Sequence, residues 1–323
     1  MPIAHPDDES KLQQSLDLLI QQGYLEYTGE YGAELTTFIP FVAWLNREGW
    51  LNQRRIITYQ GMRPYYYFLT NDQFQDKKTQ RCWLADQDRY WPSSSTYTAT
   101  ASRWHVYPNY RQHYQDSGEK FDKPIIFIQN KFIIEWHIGP INYLPLILLR
   151  RFLIQTKDAF TVIYSRPTKH INRAGFSIDS NYELDYPDRA ILSEFKHTID
   201  LEAICSEQEL DYNITKLELM AQAHIFVGVQ GGGAHAIAYF DHSLLLLLHH
   251  IDYLGQREQY EYPHAYKYGP YKYLNHHSLT LAIACNLAEL DAGLFGVSHI
   301  SSDHPKRLSL SGQALSSLKP LIM

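Results

Sequence analysis

Leu12, Leu16, Leu19 and Ile20 recur at helical spacing among polar neighbours, so the stretch from Ser10 to Gln22 predicts an amphipathic helix. Ala33 to Glu48 predicts a second helix, with Pro40 inside it where one backbone hydrogen bond must be lost. Short β-rich runs at Arg55 to Tyr59 and Tyr65 to Leu69 read as strands. From Lys123 onward the pattern becomes regular. Lys123 to Ile128 is a short apolar run of the buried-strand kind, Pro140 to Gln155 reads as a helix opened by proline, and Ala159 to Tyr164 is again strand. Together they make one βαβ unit. Thr198 to Ile204 predicts a strand, and Asn213 an N-cap for a helix through Ala223. His224 to Val229 predicts a buried strand, Ala234 to Phe240 a helix and Ser243 to His249 a strand. Strands that alternate with helices imply an α/β protein with a mostly parallel sheet covered on both faces. Its ligands are expected beyond the carboxyl ends of the strands.

The one markedly polar, turn-rich stretch near the middle runs from Pro108 to Pro124 and contains Asp116-Ser117-Gly118-Glu119-Lys120. A chain of 323 residues has the length of about two domains. The expected division is 1–118, 119–295 and a Ser-rich tail, 296–323, with a final helix at Gly312 to Leu318.

Lys and Arg number 29 against 35 Asp and Glu, and the net charge of −6 provides no basic field for nucleic acid. Cys82, Cys205 and Cys285 are far apart with no CxxC pair, which predicts reduced thiols and a cytoplasmic setting. Met1 to Glu9 is acidic where a signal peptide would be basic. The most apolar runs, Ile141 to Leu149 and Leu244 to Leu248, are far shorter than the ~20 residues of a membrane span. The 25 Tyr and 6 Trp offer flat faces on which sugars and bases stack, although the same residues build ordinary cores.

The strongest local signal is Phe226-Val227-Gly228-Val229-Gln230-Gly231-Gly232-Gly233-Ala234-His235. Glycines between a strand and a helix let backbone N–H groups approach a bulky anion such as a diphosphate; equally, glycines simply form tight turns. The segment is neither GxGxxG nor a P-loop. Asn130-Lys131 with Glu135-Trp136-His137 follows one expected strand, and Arg166, Lys169 and Arg173 follow the next. Lys131 and Arg166 at neighbouring strand ends suit phosphate oxygens. His235, just past the glycines, suits a phosphate or a sugar hydroxyl, or a satisfied core position. Glu34, in the first turn of its helix, is placed facing the expected cleft or paired with the helix dipole. The aromatic, turn-rich stretch Tyr260 to Tyr273 reads as a loop able to cover a base or an acceptor sugar. No HExxH, clustered Cys/His set or GxSxG elbow is visible.

Gly32-Ala33-Glu34-Leu35 with Ile39-Pro40-Phe41, Asn130-Lys131-Phe132, Ile134-Glu135-Trp136, Pro140-Ile141-Asn142, Tyr164-Ser165-Arg166-Pro167 and the Phe226–Gly232 segment together resemble GT-B type glycosyltransferases of surface-glycan synthesis, with a glycine segment similar to family 61-like enzymes. The resemblance implies two Rossmann-like domains facing a cleft, the second binding a nucleoside diphosphate sugar and the first the acceptor. It also implies a metal-independent sugar transfer without a cofactor, to a glycan or a lipid-linked acceptor that would bring the protein to a membrane surface. Carried onto this chain, the donor site would comprise Lys131, Arg166, Gln230, Gly231, Gly232, Gly233 and His235. The acceptor base would be Glu34, Glu135 or His137. A GT-B first domain ordinarily opens with an apolar strand and a glycine-rich turn, which this chain lacks. Two rivals remain: a polysaccharide pyruvyltransferase-like enzyme using phosphoenolpyruvate, and a non-catalytic glycan-binding protein.

Overall fold

The computed structural model describes residues 6–78, 81, 89–92, 104, 106–134, 140, 143–166, 182–229, 232–237, 239–240, 244–248 and 271–274. Helix α1 (Pro6–Gln22) ends at Gly23, whose φ of 78° turns the chain into β1 (Tyr24–Glu26). Where one helix containing Pro40 is expected, α2 (Tyr31–Ala33), a π-helical stretch (Glu34–Phe38) and α3 (Ile39–Arg47) run on end to end. Proline lacks the N–H and crowds the carbonyl four residues before it, and the wider π turn just ahead carries the chain past that defect. β2 (Arg55–Tyr59) and β3 (Phe74–Lys77) lie beside β1 in a three-stranded parallel sheet of order β1-β2-β3. The run from Tyr65, expected as a strand, instead begins in a 3₁₀ turn, Arg63–Tyr66. Two parallel neighbours need a crossover, and this turn lies on it, burying Tyr65 and Tyr66 as it goes.

The second half is built from α4 (Tyr110–Tyr114), β4 (Ile125–Gln129), β5 (Ile133–Ile134), α5 (Leu146–Thr156), β6 (Thr161–Ser165), β7 (Tyr182–Glu183) and α6 (Asp188–Leu192). It continues with β8 (Thr198–Asp200), α7 (Leu201–Glu207), α8 (Tyr212–Gln222), β9 (Ala223–Val229), α9 (Gly232–Ile237), β10 (Leu244–Leu248) and β11 (Tyr271–Leu274). Three expectations shift. The helix expected from Pro140 starts at Leu146, behind Pro145. The strand from Thr198 stops at Asp200, whose carboxylate accepts from the Glu202 N–H and caps α7. The N-cap of α8 is Asp211, which accepts from the Ile214 N–H at 2.9 Å, while the Asn213 amide donates to the Gly61 carbonyl at 2.7 Å.

Six strands pair in parallel in the order β11-β10-β9-β4-β6-β8, and β5 and β7 form a small antiparallel ribbon beyond the end of β4. Numbered by their appearance in this sheet and read from the β8 edge, the strands run 3-2-1-4-5-6, the order of doubly wound, Rossmann-type sheets. The fold is therefore α/β with parallel sheets. One sheet face, carrying Ile126, Ile128, Val162 and Val227, packs under Leu149, Phe152 and Leu153 of α5. The other, carrying Phe127, Ile163 and Phe226, shares a single core with Tyr65, Tyr110, Phe38 and Leu217. That core draws residues from both sides of the expected 118/119 boundary. No described helix is long and apolar enough to cross a membrane.

Candidate functional site

Strand order reverses between β4 and β9, and in open parallel sheets the crevice outside the carboxyl ends at such a point is where ligands bind. β4 delivers Gln129, Asn130 and Lys131 to this edge, β6 delivers Ser165 and Arg166, and β9 leads into the glycine segment. Gln129 is buried, and its amide donates to the Asn130 and Ser165 carbonyls at 3.3 and 3.4 Å while accepting from Ser165 Oγ at 3.3 Å. Ser165 Oγ in turn lies 2.8 Å from the Tyr212 hydroxyl of α8. Asn130 is fully buried, accepts from the Leu144 N–H at 2.9 Å and donates to the Tyr164 hydroxyl at 2.7 Å. These bonds hold the strand ends rigid, with Lys131 half-buried just beyond them.

The glycines are in part accounted for by packing. A Cβ on Gly232 would lie 3.1 Å from Tyr31 Cδ1 and 3.3 Å from the Gly32 nitrogen, so α2 and α9 approach backbone to backbone. A Cβ on Gly233 would lie 2.9 Å from Gln129 Cγ and 3.0 Å from Cδ. The space beside the Cα atoms of Gly232 and Gly233 is thus taken by Tyr31, Gly32 and Gln129, so close packing by itself calls for glycine at both positions. Gly233→Ala must push aside a buried, hydrogen-bonded glutamine and is expected to cost roughly 1–3 kcal/mol, read from denaturant unfolding. An unchanged unfolding midpoint would show that this contact is looser than described. His235 is half-buried against Gly32 on the same helix contact.

Two expected site residues have other partners. Arg166 is buried, and its guanidinium grips Asp188 through Nε at 2.5 Å and Nη2 at 2.9 Å. Asp188, itself fully buried, also accepts from the Tyr164 hydroxyl and from the Arg189 N–H at 2.9 Å. The fork expected for a phosphate is therefore closed on a carboxylate, because a cation placed this deep needs a counter-charge. Glu34 faces the core rather than a cleft. It has no exposed surface, accepts from Tyr66 at 2.7 Å and from Thr58, and is paired with Arg81 at 2.5 Å. The Arg81 guanidinium also lies 4.2 Å from the centre of the Tyr59 ring. With its lone pairs taken up by buried donors, Glu34 has no path to an acceptor hydroxyl.

Glu135, His137, Gln230 and Gly231 lie outside the described residues, as do Lys169, Arg173 and the tail. Of Tyr260 to Tyr273, expected as a loop, Tyr271 to Tyr273 belong to β11 and the rest lies outside. Among the described residues, no three His, Cys, Asp or Glu side chains gather as a metal site. Sequence reasoning missed Asp188, Tyr212 and Arg81. The Arg166–Asp188 pairing spans 22 residues and the Glu34–Arg81 pairing 47, and no local spacing signals either.

No family model, no curated protein and no solved structure matches the chain.

Proposed function

We propose that the chain is a glycosyltransferase that moves a sugar from a nucleoside diphosphate sugar to a glycan or lipid-linked acceptor, with the donor diphosphate at the carboxyl edge of the six-stranded sheet. The observation that carries this reading is the 3-2-1-4-5-6 strand order, whose switch point lies between β4, which Lys131 follows in the chain, and β9, which the glycine segment follows. Lys131 and His235 supply charge and hydrogen bonds to the diphosphate, which departs as negative charge develops on it. Arg166 acts at one remove, fixing the end of β6 through Asp188. The N-terminal part, with its three-stranded sheet, forms the acceptor side. It touches Gly232 through Tyr31 and Gly32 and shares one core with the six-stranded sheet, which would bring an acceptor bound there close to the donor. The acceptor proton goes to Glu135 or His137, which follow β5 in the chain.

A thermal-shift panel of UDP, GDP, CMP, dTDP, phosphoenolpyruvate and NAD, with EDTA and with Mg²⁺, tests the reading. A nucleotide present at about 100 times its Kd adds about 2.7 kcal/mol to the folded state. Stabilisation by one nucleoside diphosphate in EDTA is the expected result. A response to phosphoenolpyruvate alone would transfer the site to pyruvyl transfer, and silence to every compound would overturn the donor-site reading in favour of glycan binding.

A further inference from the structure

Three half-buried rings stand over the carboxyl ends of β4 and β6. Phe132 stacks on Tyr186 with ring centres 4.1 Å apart and planes 15° from parallel. Tyr143 meets Phe132 edge-on at 5.0 Å, and Tyr186 edge-on at 5.9 Å. The platform is held from below. The Leu184 N–H donates to the Phe132 carbonyl at 3.1 Å, closing the β5–β7 ribbon. The Tyr186 hydroxyl donates to the Leu144 carbonyl at 2.7 Å, and the Arg166 guanidinium, fixed by Asp188, lies 5.9 Å from the Tyr186 ring centre. Among the described residues, none of these rings is part of either large core.

Neighbouring strands are spaced by about 4.8 Å, so the end of β6 lies roughly 10 Å along the sheet edge from the end of β9. A ligand with its diphosphate beside the glycine segment and its other end over β6 therefore spans the reach of one nucleoside. We infer that Phe132, Tyr143 and Tyr186 form the stacking platform for the nucleobase of the donor, with the ribose crossing the ends of β4 and β6. This rests on the donor reading above and adds to it that base binding, and not the diphosphate alone, carries much of the affinity. Stacked bases are sequence-tolerant ligands of such rings, because every base has a π face.

The test is calorimetric titration of wild type, Phe132→Ala, Phe132→Trp and Tyr186→Phe with UDP, GDP, CDP and ADP and, separately, with inorganic pyrophosphate. In wild type, the preferred nucleoside diphosphate should bind roughly 5- to 150-fold tighter than pyrophosphate, the range that one stacked base supplies. Phe132→Ala should lose most of that advantage without changing pyrophosphate binding, while Phe132→Trp and Tyr186→Phe, which keep the rings, should retain it. Far-UV circular dichroism reports whether each variant folds, and if Phe132→Ala does not, Phe132→Leu takes its place. Equal affinity of wild type for pyrophosphate and every nucleoside diphosphate overturns the platform while leaving a diphosphate site intact. An undiminished nucleoside advantage in folded Phe132→Ala or Phe132→Leu does the same. Absence of binding by all five compounds overturns the donor reading and the platform with it.

Discussion

Glu34→Gln is expected to destabilise the protein by about 3–5 kcal/mol, because it leaves the Arg81 guanidinium buried without a counter-charge. The substitution keeps the side chain's shape, so little of the loss is a packing effect. Glu34 Oε1 would still accept, as an amide oxygen, from Tyr66 and Thr58, whereas the position facing Arg81 would become a donor facing a donor. Urea unfolding of the single variant and of Glu34→Gln combined with Arg81→Met separates the parts. Removing both members of the pair should be milder than removing one, since the second change takes away the stranded charge. A Glu34→Gln protein that unfolds like wild type would mean that the carboxylate does not balance Arg81, and would reopen Glu34 as a candidate base.

Lys216→Met is expected to stabilise the protein at pH 7 by roughly 4 kcal/mol. Lys216 sits on α8 almost entirely out of water, with no hydrogen bond or ion pair to its amine among the described residues. Desolvation alone pushes its pKa from 10.5 down to about 7. Because the folded value lies below the unfolded one, the unfolded chain binds the proton more tightly between about pH 7 and 10.5. Stability therefore rises with pH across that window and carries its full penalty below it. Urea midpoints of wild type should climb from pH 7 to pH 9.5, while those of Lys216→Met should start higher and climb less. Equal slopes in the two proteins would show that the amine finds a partner in solution.

The regular second half was legible because period-2 and period-3.6 patterns are local. Ile125 to Ile128, Val162 to Tyr164 and Ile225 to Val229 are buried runs of strand length, and β4, β6 and β9 form over them. The parallel order of the strands is not local, and neither is the switch point. Boundaries moved where a single residue decided them: Pro145 rather than Pro140 opens α5, Asp211 rather than Asn213 caps α8, and Pro40 forces a π turn in the helix before it. The candidate site was legible as a region, since Asn130, Lys131, Arg166, Gly232 and Gly233 do reach one sheet edge or its border. The roles of individual residues were not. Whether an arginine meets a phosphate or an aspartate depends on what the fold brings opposite it, and Asp188 arrives from a helix that no spacing ties to Arg166.

Hydrogen exchange of the backbone amides, with and without a saturating nucleoside diphosphate sugar, tests the location of the donor most directly. Protection is expected in peptides covering Gln129 to Phe132, Ser165 and Arg166, and Val229 to His235, with the three-stranded N-terminal sheet unchanged except near Tyr31 and Gly32. Protection confined to the N-terminal sheet, or none at any peptide at a ligand concentration that raises the melting temperature, would place the donor elsewhere and contradict a site at the β4–β9 switch point.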